Sequence, residues 1–204
     1  MIIKPAADGN LVLQDRAGNT RLQTDAAGVT ITAPTIASMA NCTFPAGHVQ
    51  QTLSGVKTDS WTTTAGYNDG SGGATIPGFS VSITPASTSN KILVLTHLNG
   101  AHGYNVNRVM ATLYRGTTKI AVGGTVGSRQ QVTGGFAGTH NTIIHNPITI
   151  AFLDSPSSTS ALTYTWKIGT HGSGTAYVNR SEQDSNEAIA GRTMSSIVVQ
   201  EIKG

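Results

Sequence analysis

Among the residues that could do acid or base chemistry, the candidates for a catalytic pair are Asp59, Asp69, Asp154, Glu182, Asp184 and Glu187. Glycoside cleavage, the reaction most often built from carboxylates alone, needs two of them facing each other across a cleft. Here Glu182, Asp184 and Glu187 crowd one polar stretch and the others stand alone, so no spacing brings a pair together. No catalytic residue is expected, and the chain is not read as an enzyme. Histidines stand at positions 48, 97, 102, 140, 145 and 171, with two pairs five residues apart. Five matches neither one face of a helix nor one face of a strand, so no metal or other cofactor site is expected within one chain. Only a three-fold axis, by collecting three copies of one imidazole, would build such a site. The single cysteine, Cys42, has no nucleophile signature around it and reads as an inert thiol.

Binding chemistry is better represented. The stretch "GYNDG" carries Tyr67, Asn68 and Asp69, and "NGAHGYN" carries His102, Tyr104 and Asn105. Aromatic faces beside amide and carboxylate groups suit sugar hydroxyls, and glycine-rich loops are where such groups are presented. The alternative is that these are ordinary turns whose tyrosines pack inward. Asn41-Cys42-Thr43 and Asn179-Arg180-Ser181 match the N-glycosylation pattern, and both matches are read as accidental.

The elements that must hold these loops follow from composition and period. Only 11% of residues are charged and 24 of 204 are glycine, a balance that favours strands joined by tight turns over salt-bridged helices. The net charge of +3 comes from basic residues scattered singly, which gives no phosphate-tracking stripe and so no nucleic-acid partner. Wholly apolar runs such as Ile92 to Leu95 are too short for a membrane helix, and "MIIKPAADGN" lacks the apolar core of a signal peptide. No membrane partner is expected, and synthesis in a cytoplasm is.

From Phe44 to Gly204 about ten strand-like runs alternate with turns at the spacing of an antiparallel β-sandwich or jelly roll. Phe79, Val81 and Ile83 alternate with Ser80, Ser82 and Thr84, and Leu162, Tyr164, Trp166 and Ile168 alternate with Thr163, Thr165 and Lys167. Each of those strands has one wet face. "KILVLTHL" (91–98) and "PITIAFLD" (147–154) are instead apolar on both faces and call for cover on both sides, the second layer being a neighbouring subunit. The one helix candidate is "SEQDSNEAIAGR" (181–192), predicted to give one or two turns.

Residues 1–43 differ. Three short units, beginning at Gly9, Gly18 and Gly28, each couple a turn to a few residues of period-two apolarity, and "APTIASMANC" then reads as a connector. Burying Leu11, Leu13, Leu22, Val29 and Ile31 cannot by itself offset the cost of ordering the backbone that carries them. Pairing between chains around a common axis would, so these residues are predicted to interlock subunits; a flexible tail or an added edge strand is the alternative.

"FPAGHVQQ", "VKTDSW", "FSVSITPASTSNKILVL", "RGTTKIAVGG", "GSR", "ITIAFLDSPSSTSALTYTWKI", "YVNRS" and "SSIVVQEIKG" together resemble a domain of tailed-phage virion appendage proteins, especially those of cyanophages. The loop "AGYNDGSGGATIPG" (65–78) departs from that pattern by being longer and richer in glycine. The resemblance implies an all-β homotrimer without catalytic residues, located in the virion and assembled in the bacterial host cytoplasm. It further implies a tail fibre or receptor-binding tip, with a capsid decoration or head fibre protein as the alternative. Partners implied are other copies of the chain, further virion proteins through residues 1–43, and host surface polysaccharide. A non-catalytic carbohydrate-binding module is the alternative of another class.

Overall fold

The chain divides into two units, Met1–Thr43 and Phe44–Gly204, in the computed structural model. Residues 2–5, 11–14, 16–18, 20–25, 28–30, 44–67, 72–103, 108–136 and 145–204 are described.

In the first unit, β1 (Ile2–Pro5), β2 (Leu11–Gln14), β3 (Thr20–Asp25) and β4 (Gly28–Thr30) form one antiparallel sheet in chain order. Each repeat of the sequence is thus one strand, and each turn joins it to the next. Leu13 lies opposite Leu22, and Val29 opposite Thr24. Within one chain these strands pair with each other, because turns such as Ala17-Gly18 let consecutive strands fold back. Leu11 is exposed and Leu13 half-buried, while Ile31 and Cys42 lie outside the described residues.

The second unit is an antiparallel sandwich. Its first sheet orders β10 (Thr118–Ile120), β9 (Val109–Arg115), β13 (Leu162–Thr170) and β7 (Ala74–Ile83), with β11 (Gly134–Phe136) sharing an edge of β9 with β10. Its second sheet centres on β8 (Lys91–His102). β12 (Asn146–Asp154) runs along one edge of β8, and β15 (Ser195–Ile202) pairs with the other, itself flanked by β5 (Val49–Lys57). Gly100 pairs with both Asn146 and Val178, so β14 (Ala176–Val178) follows β15 along the same edge of β8, and β6 (Trp61–Thr63) follows β14.

The period-two pattern fills the space between the sheets. Phe79, Val81, Ile83, Leu113, Tyr164, Trp166 and Ile168 from the first sheet meet Ile92, Val94, Leu98, Ile197 and Val199 from the second in one apolar core. At one corner the sheets touch backbone to backbone: a Cβ on Gly55 of β5 would lie 2.4 Å from the carbonyl oxygen of Ser80 in β7. Only glycine admits that approach.

Polar groups bridge the same gap. The Trp166 indole N–H donates to Thr96 Oγ1 at 2.9 Å, and that hydroxyl donates to the Ser196 carbonyl at 2.9 Å. Arg115 donates from Nη1 to both oxygens of the buried Asp154 at 2.6 and 2.7 Å, and Tyr164 Oη donates to Oδ2 at 2.8 Å. Burial and the adjacent Asp154 carboxylate raise the Tyr164 hydroxyl well above its ordinary range, so it stays a donor. Lys57 Nζ, buried in β5, donates to the Pro77 carbonyl at 2.9 Å and to Asp59 at 2.8 Å.

Residues 181–192 are not helical. Ser181 Oγ donates to the Gln183 carbonyl, where a helix cap would accept from a backbone N–H, and Arg180 and Arg192 both bind Asp184. Arg180 and Arg192 also form an isolated antiparallel bridge, which closes the segment as a loop. Side-chain bonds of this local kind compete with the helical ladder.

Replacing Trp166 by alanine is expected to cost about 3–5 kcal/mol in chemical denaturation, the cost of removing a fully buried large side chain. A second expectation concerns acid. Burial opposes the charge of Glu201, but bonds from Asn90, Gln51 and the Ala86 N–H outweigh it and hold the carboxyl below its ordinary range. A carboxyl depressed in the folded state stabilises above its unfolded pKa, and that contribution disappears as pH falls through the folded value. Melting temperatures followed from pH 6 downward should therefore fall more steeply below about pH 4.3 in the wild type than in Glu201→Gln. Parallel profiles would show that Glu201 contributes nothing to acid sensitivity.

Candidate functional site

Two surfaces of the sandwich carry features that the core does not require. The first is the outer face of the second sheet. Register across β12, β8, β15 and β5 lines up three rungs: Thr149, His97, Ser196 and Val56; then Ala151, Leu95, Val198 and Ser54; then Leu153, Leu93, Gln200 and Thr52. These are the alternate positions to Ile92, Val94, Ile197 and Val199, whose side chains fill the core. Leu95 is 38%, Leu153 48% and Val56 52% exposed. A shallow depression of about 310 Å³ runs between Leu95, His97, Thr149, Ala151, Ser196 and Val198.

The larger polar side chains of this face are paired among themselves. His97 Nδ1 bonds Thr149 Oγ1 at 2.7 Å, and His97 Nε2 bonds the Asn99 amide nitrogen at 2.7 Å. Gln200 Nε2 donates to Thr52 Oγ1 at 3.4 Å. The three rungs contain no formal charge, and Lys91 stands beyond their end. A surface of this kind can be covered without stranding a charge or an unpaired amide.

The second surface is one end of the sandwich, where β8 ends, β9 and β14 begin, and β13 ends. Of the sequence-predicted binding residues, Tyr67 and His102 are described, and both are buried. Tyr67 is wholly buried: its hydroxyl bonds Thr112 Oγ1 and donates to the Gln131 carbonyl at 3.2 Å, and its backbone N–H donates to Thr170 at 2.9 Å. Burial raises its hydroxyl pKa, partly offset by the Thr112 bond. The ring therefore braces the loop at Gln131 and presents no stacking face to solvent. His102 is buried too, with Nδ1 3.2 Å from the Gly103 carbonyl oxygen. Asn68, Asp69, Tyr104 and Asn105 lie outside the described residues.

Several other candidate groups have local structural partners. His48 stacks on Phe44 with ring centres 4.2 Å apart. Asp59, Asp154 and Asp184 are engaged by Lys57, Arg115 and the Arg180–Arg192 pair respectively. Among the described residues no group of three histidines, cysteines or carboxylates could hold a metal ion. Asn179 of the second glycosylation match is buried, its amide donating to the Lys57 and Asp59 carbonyls and accepting from Ser195 Oγ, which leaves it inaccessible. Also among the described residues, no helix is long and apolar enough to cross a membrane.

Sequence reasoning missed a groove at this end, lined by Arg108, Met110, Ser128, Arg129, Gln130 and His171, with a volume of about 390 Å³. Its residues come from three distant stretches, so no local motif announces it. The signal present in the sequence was only that two arginines and a histidine sit in or beside turn-rich segments.

The fold so defined is an antiparallel β-sandwich. No protein-family model matches the chain, and no curated protein matches it. It is similar to solved structures of infectious bursal disease virus. The Gt strain structure matches at 14% identity and a TM-score of 0.39, over 97% of this chain and 48% of that one. The T13 viral particle matches at 14% and 0.40, over 96% and 46%, and the VP2 subviral particle at 14% and 0.39, over 96% and 51%. The chain spans about half the length of the structures it matches. Superposition of this extent carries no argument about function.

Tyr67→Phe removes one hydroxyl with two partners and should lower stability by about 1–3 kcal/mol, measured by denaturant titration. An unchanged midpoint would mean the hydroxyl is satisfied equally well by water.

Proposed function

We propose that the chain is a structural protein of a virion, without turnover, that self-assembles through the outer face of its second sheet. The single observation behind this is that β8 and β12, buried on one side by the core, keep Leu95 and Leu153 partly exposed on the other. Four strands about 4.8 Å apart and about eight residues long make a face of about 500 Å². Covered by an equal area of a neighbour, it would bury about 1,000 Å² in total, the lower bound of a specific interface. The lack of charge on the three rungs lets another copy of the chain cover it without like-charge repulsion.

The finer reading is a trimeric appendage of a tailed phage, a tail fibre or receptor-binding tip, in which residues 1–43 attach to other virion proteins. It rests on the motifs from "FPAGHVQQ" to "SSIVVQEIKG". Light scattering of purified protein should give about 63 kDa, three times 21.1 kDa. Leu95→Glu combined with Leu153→Glu should give a folded species of 21.1 kDa, because carboxylates at the contact would have to be desolvated. A wild-type monomer at micromolar concentration, or a double variant of unchanged mass, would refute assembly through this face. A dimer would refute the three-fold symmetry.

A further inference from the structure

The groove at the end of the sandwich has the composition of an anion site. Arg108 and Arg129 are both exposed, and neither guanidinium has a hydrogen-bond or ion-pair partner among the described residues. No acidic side chain is among the residues that line the groove. His171 contributes an Nδ1 that is buried without a partner among the described residues, while its backbone N–H donates to the Arg108 carbonyl at 3.0 Å and fixes the two residues side by side. Ser128 and Gln130 add a hydroxyl and an amide to the same wall.

The loop that carries Arg129 is anchored. Its backbone N–H closes a turn onto the Val126 carbonyl at 3.1 Å, with Gly127 at φ +55 supplying the left-handed residue the turn needs. Gln131 Nε2 donates to the Gly123 carbonyl at 2.8 Å, and Tyr67 holds the Gln131 carbonyl from below. Arg129 thus extends from a backbone fixed at both ends, which lowers the ordering cost of binding.

Beside the groove, and sharing Arg108 and Met110 with it, lies an apolar cavity of about 470 Å³ lined also by Val109, Val132 and Phe136. A ligand spanning both would carry an oxyanion at one end and a small apolar substituent at the other. Planar guanidinium groups bind carboxylate oxygens with paired N–H donors, and the two cavities are of the volume that holds a sugar unit.

We propose that Arg108, Arg129 and His171 form a binding site for a carboxylate-bearing saccharide, with the adjoining cavity taking an apolar substituent such as an acetyl methyl group. The groove shares no lining residue with the assembly face. The test is isothermal titration of the full chain with the methyl glycoside of N-acetylneuraminic acid, which carries both groups, and with the methyl glycoside of N-acetylglucosamine, which lacks the carboxylate. The acidic sugar should bind at least about tenfold more tightly than the neutral one, as expected for hydrogen bonds to a charged group. Arg129→Gln should weaken it severalfold, and Arg108→Gln with Arg129→Gln should remove that preference while leaving the melting temperature unchanged. Equal affinity for the two sugars, no binding of either, or acidic-sugar binding unaffected by the double substitution would overturn the assignment. Tight binding of a 12-base-pair DNA duplex in place of the acidic sugar would also overturn it.

Discussion

A strand with apolar side chains on both faces must be covered twice, and β8, the centre of its sheet, is such a strand. Its inner residues Ile92, Val94 and Leu98 are covered by β7, β9 and β13, and this packing fixes the sandwich. Its outer residues Leu93 and Leu95 line up with Ala151, Leu153 and Val198 on the neighbouring strands, so the unmet demand belongs to the whole sheet. Hydrophobic burial scales with area removed from water, so a continuous apolar face is a standing free-energy source for association. The self-paired polar groups on the same face, His97 with Thr149 and Gln200 with Thr52, reduce the desolvation cost of that association.

With so few charges, the fold relies on a small number of well-partnered polar groups. Asp154 ties β12 to Arg115 and Tyr164 of the opposite sheet, and Glu201 receives three hydrogen bonds at the far end of β15. Asn179 does a different job. At φ +58 it turns the chain where β14 leaves off, accepts a bond from Ser195 Oγ, and donates its backbone N–H to the Asn99 carbonyl at 3.1 Å. It closes the gap between β14 and β15 along the edge of β8. Each group converts a polar side chain in a crowded place into a cross-link between strands or sheets.

What could be read in advance was whatever depends on period and local chemistry. The alternation of Phe79, Val81 and Ile83 with serines and threonine, and that of Tyr164, Trp166 and Ile168 with their polar neighbours, sorts these strands into inner and outer faces as expected. The doubly apolar runs at 91–98 and 147–154 likewise pointed to β8 and β12 before their pairing was visible. The helix expected over 181–192 failed because one carboxylate, Asp184, gathers two arginines that are twelve positions apart, which a window of sequence does not show. Tyr67 stood among loop glycines and looked presentable to a ligand, yet its hydroxyl finds partners in Thr112 and Gln131, 45 and 64 residues away. The groove of Arg108, Arg129 and His171 was illegible for the same reason: three stretches meet only after the sandwich closes.

The most direct measurement is an experimental structure of the assembled protein, by cryo-electron microscopy or crystallography, that shows what covers the outer face of β12, β8, β15 and β5. The expected result is a neighbouring copy seated on that face, with Leu95 and Leu153 removed from solvent and the His97–Thr149 bond retained beneath it. An assembly in which those leucines remain exposed while the chains join elsewhere would contradict the claim that this sheet drives association.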